Sequence, residues 1–386
     1  MREIAKKRAA KPNVSGSAVK SSIDYTFLFL IMLILSIGLV MLLSASAPAG
    51  ASKFGDSYHF FTRQMIFVIP GLIGMVIVSK IDYHVYKKYA GMFFGVCTVL
   101  LILVAIPGIG QEHNGSRRWI QLPGFQFQPS EFMKLAISLM FANMIASGKY
   151  NVSKLNGCIP FGILLFIVIV LMVLEPHVSG LLIMLGIGIW IMVSAGTPIW
   201  PFAGAGVILG SLGTVLIMLF DANRWSRILA FLNPFSDTRD SGYQIVQALY
   251  AMGSGGLFGR GIGQSVQKYS YLPEPYNDFI FSIACEELGL FGAAVIIILF
   301  ASLILRGFRI ALGAPDTFGT LLATGIMAQI AIQTTLNIAV TTSTVPNTGV
   351  SLPFFSYGGT AILILLIEMG ILLNISRYGA SGNTGP

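Results

Sequence analysis

Apolar residues in this chain come in long runs separated by short polar segments, and the strict alternation of a half-buried strand or an outer-membrane barrel is missing. The runs are centred at 25–43, 65–78, 91–106, 130–146, 158–174, 178–195, 198–220, 278–305, 317–340 and 359–375. A helix needs roughly 20 mostly apolar residues to cross hydrocarbon. The pattern therefore predicts an all-α polytopic membrane protein with about ten transmembrane helices. The first run ends in Ser44-Ala-Ser-Ala-Pro-Ala49, which resembles a signal-peptidase site. It is longer than the roughly 7–15 apolar residues of a cleaved leader, so it reads as an uncleaved first span.

Charge sets the orientation. Lys80, Lys87, Lys88, Lys149, Lys154, Arg306 and Arg309 fall between alternate spans, and Arg377 follows the last one. By the positive-inside rule these segments and both ends face the cytoplasm, with Lys53, Arg63, Arg117 and Arg118 outside. The expected organisation is a basic cytoplasmic tail at 1–24, one membrane domain at 25–376 and a cytoplasmic tail at 377–386. One connection is long: the extracytoplasmic loop 221–277, between spans 7 and 8. Within it, 224–232 and 244–252 carry apolar residues at helical spacing, which predicts interfacial helices forming a lid over the bundle.

Composition supports the same class, with 55% hydrophobic and only 10% charged residues and a mean hydropathy of +0.78; soluble domains carry roughly a quarter charged residues. The net charge of +8 raises the question of a nucleic-acid partner, but the basic residues sit at span ends and in the N-terminal tail, so none is expected. The three cysteines lie in apolar segments, and the four histidines lack ligand spacing, which argues against disulfides and a structural metal.

Candidate chemistry gathers at the entry to the eighth run. Asp278 stands where a polar loop meets an apolar helix, with Glu286 and Glu287 about two turns deeper. Asp at a helix start is a favoured cap. The alternative is a general base beside a lipid headgroup, its carboxyl pushed upward by burial against Phe279 and Phe281. Glu286 and Glu287 read first as internally paired. Glu131 and Lys134, three apart after Pro129, can meet on one helix face; an ion pair and a lysine lining a phosphate-receiving cavity are compatible readings. Arg117, Arg118, Arg224 and Arg227 suit interfacial snorkelling and equally a pyrophosphate. The glycine-rich 253–263 has no nucleotide-binding spacing and reads as a hinge or a close-packing turn. The Pro/Gly-rich 346–359 interrupts the last spans, so it is expected to wall the same outward cavity as Asp278.

Several long motifs in order now show a resemblance: Asn114-Gly-Ser-Arg-Arg-Trp119, Gln128-Pro-Ser-Glu-Phe-Met-Lys134, Gly253-Ser-Gly-Gly-Leu-Phe-Gly259, Tyr271-Leu-Pro-Glu-Pro-Tyr-Asn-Asp-Phe-Ile-Phe281, Glu286-Glu-Leu-Gly289 and Leu352-Pro-Phe-Phe-Ser-Tyr-Gly-Gly359. The chain resembles the SEDS family (shape, elongation, division and sporulation; the FtsW, RodA and SpoVE group) over most of its length, with wording closer to the FtsW and SpoVE branches. The resemblance implies a ten-span fold that polymerises lipid II, the undecaprenyl-pyrophosphate-linked disaccharide peptide, into peptidoglycan at the outer face of the bacterial cytoplasmic membrane. It puts the family's essential aspartate on Asp278 and its Glu–Lys pair on Glu131 and Lys134.

From the same resemblance, Asp278 is expected to act as base or as ligand to a divalent cation, magnesium or manganese, with Arg117, Arg118, Arg224, Arg227, Glu131, Lys134 and Glu286 as substrate-binding candidates. The implied partners are a class B penicillin-binding protein and the proteins of the division complex. Two other functions carry expectations of their own: a lipid II flippase and a non-catalytic scaffold. One motif departs from the family. Where members often read Gln-Pro-Asp-Leu-Gly-Thr, this chain has Glu175-Pro-His-Val-Ser-Gly180, with His177 in place of the aspartate.

Overall fold

The structure, a computed structural model, describes residues 22–113, 116–122, 125–175, 177–204, 206, 218, 231–236 and 242–379. Most of the expected seventh span, nearly all of the first interfacial helix, and Arg224 and Arg227 lie outside the described residues.

In chain order the helices are α1 (Tyr25–Phe54), α2 (His59–Val78), α3 (His84–Ala105), α4 (Pro129–Ala146), α5 (Leu155–Leu174), α6 (Val178–Ser194), α7 (Tyr243–Gly255), α8 (Ile280–Gly313), α9 (Thr317–Thr341) and α10 (Gly359–Tyr378). Seven of them, α1, α2, α3, α5, α8, α9 and α10, are long and apolar enough to cross a membrane. In the most apolar stretch of α9 and of α10, 72% of residues are buried, against 22% for α2. The two late helices therefore form the centre, and α2 faces lipid. The reason lies in their side chains, since α9 encloses Gln329, Gln333, Thr334 and Asn337, polar groups that hydrocarbon would not tolerate.

Helix α1 runs past its expected end. Ser44 to Ala49 stays helical despite Pro48, because Ala45, Ser46 and Gly50 offer a small-residue face that packs inward. Asp24 caps its start by accepting from the Phe27 amide at 2.9 Å. Gly55, in the left-handed region, closes it with a hydrogen bond to the Ala51 carbonyl.

The segment between α3 and α4, expected to be a loop, is a small antiparallel sheet in the order β1 (Gly110–His113), β2 (Ser116–Leu122) and β3 (Phe125–Phe127). Gln111 pairs with Trp119 and Glu112 with Arg117, so the ladder steps past Arg118 as a bulge. The fold is thus mostly helical with one short β meander.

Helix α8 is broken at Gly289, whose φ of 69° and ψ of −170° are outside the helical region. The glycine-rich turn fills the break. Arg260 and Gly261 donate to the Glu286 and Glu287 carbonyls at 3.0 Å, and Leu290 donates to the Gly256 carbonyl at 2.9 Å. A β-carbon on Gly289 would lie 2.2 Å from the Gly259 nitrogen, so only backbone fits on both sides. The close-packing alternative for 253–263 is the one realised.

Helix α7 covers the second expected interfacial segment and packs against α8, with Ile245, Val246, Ala248 and Ala251 buried.

Candidate functional site

Asp278 lies in the turn before α8. The helix begins at Ile280 and its cap residue is Phe279, which makes no side-chain cap bond, so Asp278 stands one residue outside the cap. The cap position thus falls to Phe279. The side chain is half-buried, while Phe279 and Phe281 are packed into the core.

What holds the turn is its backbone. The Tyr276 carbonyl accepts from the Tyr357 amide at 2.9 Å. The Asn277 carbonyl accepts from Ser356 Oγ at 2.7 Å, and the Asp278 carbonyl from Asn337 Nδ2 at 2.7 Å. Successive carbonyls just before the helix are thus each taken by a donor from α9 or from the 342–358 connection. Asn337 also donates to the Val350 carbonyl at 2.7 Å.

That connection dips into the bundle as irregular backbone. A β-carbon on Gly38 of α1 would sit 2.4 Å from the Phe354 carbonyl oxygen, which shows how close the chains run. Val350, Leu352, Phe354 and Phe355 are buried, and Gln64 of α2 braces the far end by accepting from the Gly358 amide at 3.1 Å. Protein covers the segment on all these sides, the condition for non-helical backbone at membrane depth. Below it Phe60 stacks near Tyr276 at 4.3 Å and meets Tyr357 edge-on at 5.2 Å. Burial pushes the Tyr276 phenol up to about 12, and it pushes Tyr357 upward too, opposed by the Arg63 charge. Both phenols are therefore protonated at neutral pH.

The 342–358 connection borders a cleft at one part of its length and the Asp278 turn at another. A small, partly open cleft is lined by Glu131, Gln329, Gln333 and residues 351–354 and 356–358, and Asp278 is not among its walls. Gly349 and Val350 lie against the Asp278 turn instead; a β-carbon on Gly349 would come 3.1 Å from Asp278 Oδ2.

Glu131 and Lys134 meet as their spacing allows, Lys134 Nζ donating to Glu131 Oε2 at 2.7 Å with both side chains largely buried. The lysine is held in this internal pair, while the carboxylate borders the cleft. Glu368 of α10, buried and accepting from Gln329 Nε2 at 3.0 Å, also feels the Lys134 charge. This group extends the pair into a polar network between α4, α9 and α10.

Glu286 and Glu287 turn inward. Glu287 pairs with the buried Lys268 at 2.9 Å and accepts from Ser44 Oγ of α1 at 2.6 Å. Glu286 accepts from Ser265 Oγ at 2.5 Å and from the Val266 amide at 3.0 Å. With 1% of each residue exposed, neither faces the opening. Glu286, proposed from sequence as a substrate contact, instead fastens the 265–267 turn.

Arg117 and Arg118 are half-buried in β2. The bulge aims Arg118 at the α5–α6 connection, where its charge acts on Glu175 and His177. Both are buried. Burial pushes the Glu175 carboxyl up to about 8 and the His177 imidazole down to about 3. The Arg118 charge thus favours an ionised Glu175 and disfavours a charged His177.

Sequence reasoning missed Asn337, Ser356, Gln64 and Glu368. Isolated polar residues inside apolar runs were the available signal, since each needs an internal partner.

Comparisons with known proteins now bear on this arrangement. The sequence profile of a family described as cell cycle protein, FtsW/RodA/SpoVE, matches residues 25–381. The chain is 44% identical over 336 residues to stage V sporulation protein E of Bacillus subtilis (strain 168), covering 87% of this chain and 92% of that one. It is 42% identical over 334 residues to the probable peptidoglycan glycosyltransferase FtsW of Trichlorobacter lovleyi, covering 86% and 87%. Among solved structures, it resembles a chain of a peptidoglycan synthase complex that coordinates polymerization and crosslinking (TM-score 0.76, 25% identity, 92% and 98% covered). It also resembles the rod shape determining protein RodA of Thermus thermophilus (TM-score 0.69, 25% identity, 95% and 98% covered).

Proposed function

The chain belongs to the FtsW/RodA/SpoVE family of cell cycle proteins, and from that premise we propose that it is an inverting peptidoglycan glycosyltransferase that polymerises lipid II. The single observation that carries the site assignment is the clamped turn: side-chain donors from Asn337 and Ser356 hold the backbone carbonyls of Asp278 and Asn277 beside the N-terminal end of α8, while Asp278 stays half-buried.

In the proposed reaction, the 4-hydroxyl of the acceptor sugar attacks the anomeric carbon of the donor. The new oxygen–carbon bond forms as the bond to undecaprenyl pyrophosphate breaks, with inversion to a β-1,4 link. Asp278 takes the hydroxyl proton, and the leaving pyrophosphate carries away the negative charge. The partial positive charge of the α8 N-terminus favours that anion, and Arg117 is a further candidate contact. A divalent cation, if used, fits as one arriving with the pyrophosphate. Mg²⁺ is commonly held by one or two carboxylates plus substrate phosphates, and no group of three or more His, Cys, Asp or Glu is assembled among the described residues. Such a cation would neutralise phosphate charge.

The same reading places both termini in the cytoplasm and Asp278 at the outer face, and assigns the protein to septation or sporulation with a class B penicillin-binding protein as partner. A flippase needs mobile intramembrane charge, whereas Glu131 with Lys134 and Glu287 with Lys268 are bound in internal pairs. Purified protein in detergent, given lipid II with and without the transpeptidase, tests the proposal. Glycan strands are the expected product. A protein that moves lipid II across vesicles yet makes no strands under either condition is a transporter.

A further inference from the structure

We propose that Asn337 is a positioning residue that locks the Asp278 turn to the 342–358 connection; the proposal rests on reading Asp278 as the reacting carboxylate. Asn337 sits one turn from the end of α9 and is fully buried. Its amide nitrogen has two protons, and both are used: one goes to the Asp278 carbonyl and one to the Val350 carbonyl, each at 2.7 Å. A planar amide gives those two oxygens one relative placement, so the turn and the connection are fixed to one rigid group on the central helix. The neighbouring backbone depends on that register. Gly349, at a φ of 68°, passes so close that a β-carbon there would be 3.1 Å from Asp278 Oδ2.

A purely structural role explains this residue poorly. Its amide oxygen, Oδ1, is buried and accepts no hydrogen bond among the described residues, a cost that a leucine of similar volume would avoid. The residue spends that cost on two backbone contacts, and both belong to the segments that flank Asp278. Ser356, which donates to the adjacent Asn277 carbonyl, supports the turn from the connection but does not reach Asp278 itself.

Asn337→Ala removes both donors, and Asn337→Asp replaces them with an acceptor facing two carbonyl oxygens. Both variants, wild type and Asp278→Asn would be compared for steady-state strand synthesis from purified lipid II, melting temperature and amide hydrogen exchange. For Asn337→Ala the expected result is a fall in kcat of about 10–100-fold, as for a small misplacement of a reacting group, with KM for lipid II unchanged. Faster exchange is expected only in 276–282 and 345–352, and Asn337→Asp should be slower still. A wild-type kcat in Asn337→Ala beside an inactive Asp278→Asn overturns the positioning role alone. So does a loss of activity accompanied by faster exchange throughout α9, which marks general loosening. An active Asp278→Asn overturns the underlying reading, and the positioning role with it.

Discussion

Helix α8 carries carboxylates at two depths and treats them in opposite ways. At the inner position, Glu286 and Glu287 have their oxygens taken by Ser265, the Val266 amide, Ser44 and Lys268, and almost none of their surface is exposed. At the mouth, the clamp grips the main chain of residues 276–278 and the Asp278 side chain remains half-buried. An acid whose oxygens are consumed by the fold does architectural work. At Asp278 the fold also grips the main chain, through Asn337 and Ser356, and so fixes the turn that carries the acid. The difference also explains why the inner pair needs a broken helix: the gap at Gly289 lets the glycine-rich turn bring Ser265 and Lys268 within reach.

The comparison can be broken at the inner site first. Lys268→Met leaves a buried carboxylate without its cation, and loss of one partner of a buried pair costs about 3–5 kcal/mol. A large drop in melting temperature is expected, with much of it recovered in the Lys268→Met/Glu287→Gln double variant. Equal melting temperatures for wild type and Lys268→Met would show that the inner pair does not hold the fold. Next in size is Gly289→Ala. Its β-carbon collides with the Gly259 backbone, and the glycine-only conformation adds about 1–3 kcal/mol of strain. Reduced melting temperature and faster exchange across 256–266 are expected, and an unchanged exchange map would show that the break does not depend on glycine.

The smallest effect concerns a third buried acid, Glu175. Its folded value of about 8 lies above the ordinary 4.5, so its contribution to stability is complete below pH 4.5 and is lost as pH rises toward 8. His177, lowered from 6.5 to about 3, works the other way, losing stability as pH falls below 6.5. The two oppose each other between pH 4.5 and 6.5, and of the two only Glu175 acts from 6.5 to 8. Melting temperature should therefore fall less steeply over that upper window in Glu175→Gln than in wild type. The same slope in both would remove Glu175 as its source.

The helical frame was legible because hydrocarbon demands long apolar runs, and the Glu131–Lys134 pair because a spacing of three puts both on one face. The sheet at 110–127 was not. Its strands are short, and the bulge at Arg118 breaks the alternation that marks a strand. The Lys268–Glu287 pair was hidden because its members lie 19 residues apart on either side of a turn whose path depends on the Gly289 break. Asn337 and Glu368 are single polar residues in apolar runs, and sequence alone does not say which partner each finds. Asp278 could be singled out, but the donors that hold its turn, Asn337 and Ser356, lie 59 and 79 residues from the carbonyls they bind and gave no sign of it.

The most direct test of the account is the rate of glycan-strand synthesis by purified Asp278→Asn from lipid II, measured beside its melting temperature and its binding to the transpeptidase. The account predicts no strands, with melting temperature and partner binding as in wild type. Strands made at the wild-type rate would contradict it.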